Sequence, residues 1–293
     1  MHFLSTITGS FAMPADENPT VAMVEAAYAH HGIDARYLNC EVAPSSLAAA
    51  VLGARAMGWT GFNCSIPHKI SVIDHLDRLA RSAQIIGAVN CVVRDGQEFV
   101  GHNFDGQGFL SSLKTVMDPA GARVALLGSG GAARAIAVEL ALAGAAEILI
   151  VSVRPEPAAS LAQVVNERTP AIGRAVAWEG EWAAPHGLDL IVNATPVGLY
   201  PEISAMPAVD LDTLDSTTVL ADVIPNPPTS ALVAAATRRG LTTLDGLGML
   251  VNQGALAIQL WTGVDPDRTI MRNRLTEIFS EGPAALPPTG SPA

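Results

Sequence analysis

The chain of 293 residues is 49% hydrophobic and 15% charged, a balance that excludes a disordered polypeptide and leaves room for two well-packed domains. Its formal net charge of -11 opposes binding to nucleic acid or to an anionic membrane surface, which points to small-molecule chemistry. The opening run MHFLSTITGSF has no basic start and no long apolar core, so no secretory leader is expected. Cys40, Cys64 and Cys91 lack CxxC or metal spacing and read as reduced core thiols of a cytoplasmic protein.

Strand-like and helix-like segments alternate along the chain, the pattern of an α/β fold with mainly parallel sheet. FLSTITG reads as a first strand, and NPTVAMVEAAYAHHG as a helix with Asn18 as cap, Pro19 in the first turn and Gly32 as terminator. RYLNCEV gives a second strand, Ser45 to Met57 a second helix and TGFNCS a third strand. AVNCVVRDGQEFVGHN reads as a hairpin turning at Asp95-Gly96. ARVALLGSGGAARAIAVELALAG then predicts a strand, a glycine-rich turn and an alanine-rich helix, followed by the buried strand EILIVSV. DLIVNATPVG and LADVIPNPP each place polar or turn residues just after an apolar strand, at the carboxyl edge where a doubly wound sheet binds ligands. The closing EGPAALPPTGSPA has neither helical nor strand period and reads as a flexible tail over 281–293.

Two segments carry chemistry. Gly128, Gly130 and Gly131, in the spacing GxGGxxR, allow a tight turn and close backbone approach to a pyrophosphate at a helix amino terminus. Such a turn also serves as plain structure, but the flanking strand and helix favour the nucleotide reading. GFNCSIPHK delivers Lys69, in a chain whose other lysine is Lys114. An amine exchanges a proton where a guanidinium effectively does not. Oxidation of a secondary alcohol by hydride loss requires a group that takes the hydroxyl proton, and reduction requires it back. His68 reads as a surface or supporting residue, and His30, His31 and His75 show no metal-ligand spacing with acidic partners, so no metal is expected.

Six runs, GFNCSIPHK, IGAVNC, GHNFDG, LLGSGGAARA, NATPVG and LDGLGMLVNQGA, stand in the order and spacing of the shikimate dehydrogenase family, which includes the quinate/shikimate dehydrogenases. The chain resembles that family from about Gly9 to Trp261. The resemblance implies two α/β domains: a substrate domain of 1–106 completed by 246–280, and a Rossmann-type, doubly wound nicotinamide-binding domain of 107–245, with catalysis in the cleft between them. It implies that Lys69 and Asp105 handle the proton, against the plainer alternative of a buried ion pair. Ser65, Asn90 and Gln253 match positions that hydrogen-bond substrate hydroxyls; Ser65 and Asn90 would otherwise satisfy strand-end backbone, and Gln253 would be a solvated helix residue. Cofactor contacts are implied at Gly128, Gly130, Gly131, Ala132, Asn193, Thr195, Val223, Gly246 and Met249, with Arg154 at an adenosine 2'-phosphate.

The chain departs from the family pattern at the substrate end. The family's amino-terminal loop carries two serines, separated by one residue and followed by proline, that hold the substrate carboxylate. Here Asp16 and Asn18 stand in their places before Pro19, and the loop is one residue longer. A tyrosine a few residues after the Asp222 position is replaced near Pro225, and Phe104 replaces the threonine before the catalytic aspartate. An ionised Asp16 in a partly closed cleft repels a carboxylate but accepts hydrogen bonds from hydroxyls or pairs with an amine. The expected activity is reversible hydride transfer between a nicotinamide and a ring hydroxyl or ketone, on shikimate or a related cyclic polyol. The alternatives are the same chemistry on a non-carboxylate polyol or amino-polyol, and a non-catalytic nucleotide or metabolite sensor. Methylenetetrahydrofolate dehydrogenase shares the layout and an active-site lysine, but GHNFDG and DGLGMLVNQGA favour the shikimate type. Family members using NADP place Asn-Arg-Thr and a second arginine after the second nucleotide-domain strand; SVRPEP keeps Arg154 alone, while Val153 lacks the acidic group typical of NAD sites. NADP is expected, with NAD in reach, and the partner is a cyclic hydroxylated small molecule bound by a monomer or homodimer.

Overall fold

The apolar runs form two six-stranded sheets in the computed structural model, which describes residues 4–16 and 18–281. The first half comprises β1 (Thr6–Ala12), α1 (Thr20–His31), β2 (Ala35–Glu41), α2 (Leu47–Ala56), β3 (Gly61–Cys64), β4 (Arg78–Leu79), α3 (Arg81–Ile86), β5 (Cys91–Asp95) and β6 (Glu98–His102). Its sheet runs β2-β1-β3-β5-β6-β4, with β1 parallel to both neighbours and β5 antiparallel to β3 and β6. The expected hairpin is present, and Gly96 at φ 61 makes its turn. Helix α1 ends at the left-handed Gly32 as expected; Pro19 occupies the residue before its first turn, and Asn18 Oδ1 accepts from Thr20 N at 3.1 Å.

Helix α4 (Asp105–Leu113) leads into the second half: β7 (Arg123–Leu127), α5 (Gly131–Leu142), β8 (Glu147–Ser152), α6 (Pro155–Arg168), β9 (Ile172–Ala177), β10 (Trp182–Ala183), β11 (Leu190–Asn193), β12 (Val209–Asp210), β13 (Val219–Asp222), α7 (Ala231–Arg238) and β14 (Thr243–Leu244). Its main sheet runs β14-β13-β11-β7-β8-β9 and is parallel throughout, the doubly wound order with its switch point between β7 and β11. The β7 and β8 runs are apolar because helices cover both faces of the sheet: Val124, Leu126, Ile148 and Ile150 pack on one side, and Ala125, Leu127, Leu149 and Val151 on the other.

Helices α8 (Gly246–Thr262) and α9 (Arg268–Glu281) return to the first half, where Val251, Ala255, Ile258 and Trp261 pack with Tyr28, Tyr37 and Val93. Helix α8 also lies against α4. A Cβ on Gly108 would sit 2.6 Å from the Met249 carbonyl oxygen, so only glycine lets the two helices approach this closely. Cys64 and Cys91 are wholly buried as expected, whereas Cys40 is only half-buried. Apart from Glu281, which closes α9, the expected tail of 281–293 lies outside the described residues. No helix among the described residues is long and apolar enough to cross a membrane.

Candidate active site

Lys69 follows β3 and Asp105 opens α4, and the fold brings them together: Lys69 Nζ donates to Asp105 Oδ2 at 2.6 Å. The lysine side chain is 34% exposed and the aspartate 13%, so the pair sits at the edge of solvent. Asn90, just before β5, braces the carboxylate. Its Nδ2 donates to Asp105 Oδ1 at 2.8 Å and to Gln253 Oε1 at 2.9 Å, while its Oδ1 accepts from Phe104 N at 2.7 Å. Asn103 holds the same junction from behind, accepting from Asp105 N and donating to the Ala88 carbonyl. Lys69, Asp105, Asn90 and Gln253, expected from separate motifs, therefore form one hydrogen-bonded chain. Asn90 is 3% exposed with its amide committed to Asp105 and Gln253, so it orients these groups. Ser65 is half-buried on the segment leading to Lys69, with its N–H on the Phe11 carbonyl and its carbonyl accepting from His68 N.

Asp105 and Gln253 line a cavity of about 90 Å³ together with Val223, Pro225, Gly246, Met249 and Leu250. Through Asp105 this cavity joins the Lys69–Asp105 pair to the carboxyl edge of the nucleotide-type sheet. On that edge Gly128 takes a φ of 103, and a Cβ there would lie 3.0 Å from the Ala194 carbonyl oxygen, so the turn after β7 demands glycine. A Cβ on Gly130 or Gly131 would meet nothing within 4 Å. The space over the amino terminus of α5, beside Ala132, is open, as a dinucleotide phosphate requires. Arg154 is exposed just after β8, where its N–H bonds Ser152 Oγ, which in turn contacts Ser129 Oγ at 3.0 Å. The donors and space at this edge fit a nicotinamide dinucleotide.

Three residues have surroundings different from those expected. Asn193 is wholly buried: its Nδ2 donates to Asp222 Oδ1 and its Oδ1 accepts from Thr195 N and Oγ1, so its side chain braces the loop after β11. Burial pushes the Asp222 carboxyl up, opposed by donors from Ser230, Ile224 N and Asn193. His68 is not at the surface; it is fully buried, with Nε2 against the Val42 carbonyl at 2.8 Å. Asp16 is exposed rather than enclosed, so solvent reduces its repulsion of a carboxylate at 4 Å to about 1 kcal/mol. Asn18 is half-buried and bonds Ser10 and Asn39, at the ends of β1 and β2.

Residues 11–92 match the model of the shikimate dehydrogenase substrate binding domain, and residues 246–276 that of the shikimate 5'-dehydrogenase C-terminal domain. The shikimate dehydrogenase (NADP(+)) of Methanopyrus kandleri strain AV19 is 38% identical over 93% of this chain and 96% of its own. The chain belongs to the shikimate dehydrogenase family. The ligand-free crystal structure of 5-ketofructose reductase from Gluconobacter sp. strain CHM43 is similar with 55% identity and a TM-score of 0.93, over 95% of this chain and 100% of that one. Shikimate 5-dehydrogenase of Listeria monocytogenes, solved with shikimate and NAD, aligns at 31% identity and a TM-score of 0.86 over 92% of this chain and 96% of that one. The two-domain α/β fold with a Rossmann-type half is thus the fold of the family.

Sequence reading missed several polar residues around the pair. Asn63 donates from Nδ2 to the Asn90 carbonyl at 3.1 Å and accepts from the Tyr37 hydroxyl; it lay within GFNCSIPHK and was open to notice. Pro225, already marked as the place of a replaced tyrosine, lines the cavity, and so does Leu250, whose type does not announce it. Arg134 of the glycine-rich turn donates to the Ile86 carbonyl on α3, which ties the nucleotide half to the first.

Proposed function

We propose that the chain is a nicotinamide-dependent carbonyl reductase acting on a neutral, polyhydroxylated keto sugar of the 5-ketofructose type. The hydrogen bond between Lys69 and Asp105 at the edge of the shared cavity carries the reaction class. In this reading 1–106 with 246–280 binds substrate and 107–245 binds nucleotide. When bound, the nicotinamide supplies a hydride to the carbonyl carbon or takes it back. Lys69 gives one Nζ proton to the carbonyl oxygen as the carbon is reduced, yielding the alcohol, and regains a proton from solvent; oxidation runs the same path backwards. Asp105 holds the amine in place, and Asn90 fixes the carboxylate that does so. NADP is the assigned cofactor, with Arg154 at the 2'-phosphate and NAD as the weaker alternative.

Two observations support a substrate without a carboxylate. The serine pair that holds a carboxylate elsewhere in the family is replaced by Asp16 and Asn18, and the similar 5-ketofructose reductase acts, by its name, on a sugar that has hydroxyls and no carboxylate. Shikimate is the second reading, favoured by the Methanopyrus relative at 38% identity. The enzyme is read as a cytoplasmic monomer or homodimer with no nucleic-acid partner. The test is NADPH oxidation with 5-ketofructose against 3-dehydroshikimate, and NADP reduction with shikimate and quinate. A kcat/KM for 3-dehydroshikimate equal to or above that for 5-ketofructose refutes the keto-sugar assignment. Absence of turnover on all four leaves a binding protein.

A further inference from the structure

The carboxyl ends of β1, β2 and β3 carry a row of neutral polar side chains that the chemistry above leaves unassigned. Ser10 is opposite Asn39 on β2 and opposite Asn63 on β3, so register puts the three on one face of the sheet. Ser10 is wholly buried, and Asn39 and Asn63 are half-buried. Through Asn63, whose amide bonds the Asn90 carbonyl, the row reaches the residue that braces Asp105.

At its other end the row grips Ala15 and Asn18, before α1. Asn39 Nδ2 donates to the Ala15 carbonyl and to the Asn18 carbonyl, each at 3.1 Å. Its Oδ1 accepts from Ser10 Oγ and, at 3.4 Å, from Asn18 Nδ2. Asn18 Nδ2 also reaches Ser10 Oγ at 3.3 Å. One side chain thus binds two carbonyls of the loop and the amide of Asn18, with Ser10 fixing that side chain from beneath. The loop in turn touches the lysine segment, since Met13 N donates to the Ile66 carbonyl at 3.0 Å.

This arrangement has a chemical consequence. The contacts from Asn39 and Ser10 to the loop use amides and a hydroxyl, with no cation among them, and they hold Asn18 where a carboxylate-binding serine stands in the family. With its Nδ2 on Ser10 and Asn39 and one Oδ1 lone pair on Thr20 N, Asn18 keeps an uncharged acceptor, which suits a hydroxyl donor and gives a carboxylate neither a donor nor a positive partner. We infer that Asn39, held by Ser10, is a specificity-determining positioning residue that sets Ala15 and Asn18 for neutral polyhydroxylated carbonyl substrates. The inference rests on the keto-sugar reading above.

The experiment compares wild type, Asn39→Ala and Ser10→Ala in steady-state NADPH oxidation with 5-ketofructose, with thermal melts alongside. Asn39→Ala is expected to raise KM for 5-ketofructose about tenfold or more, while kcat and KM for NADPH stay within about threefold, because the lost contacts lie on the substrate loop. Ser10→Ala moves KM in the same direction by about threefold, since Asn39 keeps its two carbonyl contacts. A purely structural role lowers the melting temperature and scatters all three constants without favouring the sugar KM. If Asn39→Ala does not fold, Ser10→Ala carries the test. Wild-type enzyme that ignores 5-ketofructose overturns the substrate reading and this inference with it; wild-type turnover with an unmoved sugar KM in folded variants overturns the inference alone.

Discussion

Replacing Lys69 by Met keeps the length of the side chain and removes its exchangeable protons. The structure separates the two losses this causes. As a support for the fold, the Lys69–Asp105 ion pair is minor. The lysine is a third exposed, and Asp105 keeps Asn90 Nδ2 at 2.8 Å on its other oxygen. A solvent-screened pair of this kind contributes at most about 1 kcal/mol, or about 2 °C in melting temperature for a chain of this size. As the proposed proton donor, the amine would account for about a hundredfold to ten-thousandfold in rate, which is about 3–5 kcal/mol of barrier. Lys69→Met should therefore lose at least about a hundredfold in kcat and melt within a few degrees of wild type. Lys69→Arg sharpens the test, because a guanidinium can restore the ion pair but does not release its proton. Its stability should recover and its kcat should not. The assay is steady-state NADPH oxidation with the best keto substrate, beside nucleotide binding measured by fluorescence. A folded Lys69→Met enzyme with kcat within about threefold of wild type refutes the proton role, and so does a Lys69→Arg enzyme with wild-type kcat.

Other perturbations probe the remaining parts of the site. Arg154→Ala should lower the NADP-to-NAD ratio of kcat/KM by about fivefold to tenfold, the effect of one exposed charge-assisted contact; an unchanged ratio makes Arg154 an ordinary surface cation. Glu139 on α5 is 7% exposed, accepts from Gln107 Nε2 at 3.2 Å and is also bonded by Ser82; burial raises its carboxyl above its usual 4.5. With the folded value raised, its contribution is complete below that usual value and is lost as pH climbs through the folded one. Glu139→Gln should therefore raise the melting temperature by about 2 °C at about pH 8 and by nothing at about pH 4, as read by thermal melts across that range, and a gain confined to acid pH contradicts the burial argument. The double variant Asp16→Ser, Asn18→Ser should raise kcat/KM for shikimate by about tenfold from a low base. Efficient native shikimate turnover without gain from the substitutions returns the chain to the shikimate reading.

Long, periodic elements were legible in the sequence because periodicity reports burial directly. The strand–turn–helix from Arg123 to Leu142 appears as read, with its glycine-rich turn at the carboxyl edge. The first strand lies later than FLSTITG suggested, at Thr6–Ala12, because pairing with β2 carries it through Phe11 and Ala12. Short pieces escaped: Arg78–Leu79 and Arg81–Ile86 are too brief to show a period. Within the site, Lys69 and Asp105 were visible because each sits in a distinctive run. Of the two readings of His68, the surface one fails and the supporting one stands open, because the Val42 carbonyl that its ring meets comes from a distant connection. Ser10 and Asn39 were unreadable for the same reason, since their contact depends on strand register across 29 residues of sequence.

The geometry also explains how the two ends of the site can differ in their departure from the family pattern. The proton pair is held where β5, β6 and α4 meet, by Asn90 on Phe104 N and by Asn103 on Asp105 N. The substrate loop is held where β1 and β2 end, by Asn39 and Ser10. Among the contacts that link these regions are backbone bonds from Met13 N to the Ile66 carbonyl, Ser65 N to the Phe11 carbonyl and Cys64 N to the Asn90 carbonyl, and the Asn63 side-chain amide on the same Asn90 carbonyl. Each tolerates a change of side chain at Asp16 or Asn18, because none of them uses those side chains. Residues without shared partners contribute nearly independently to free energy. Under the proposed function, the loop could therefore exchange carboxylate recognition for hydroxyl recognition while Lys69 and Asp105 keep their geometry. In the proposed reading the same separation divides the work: the loop would select which carbonyl compound is held, and the proton chemistry would stay with Lys69 and Asp105.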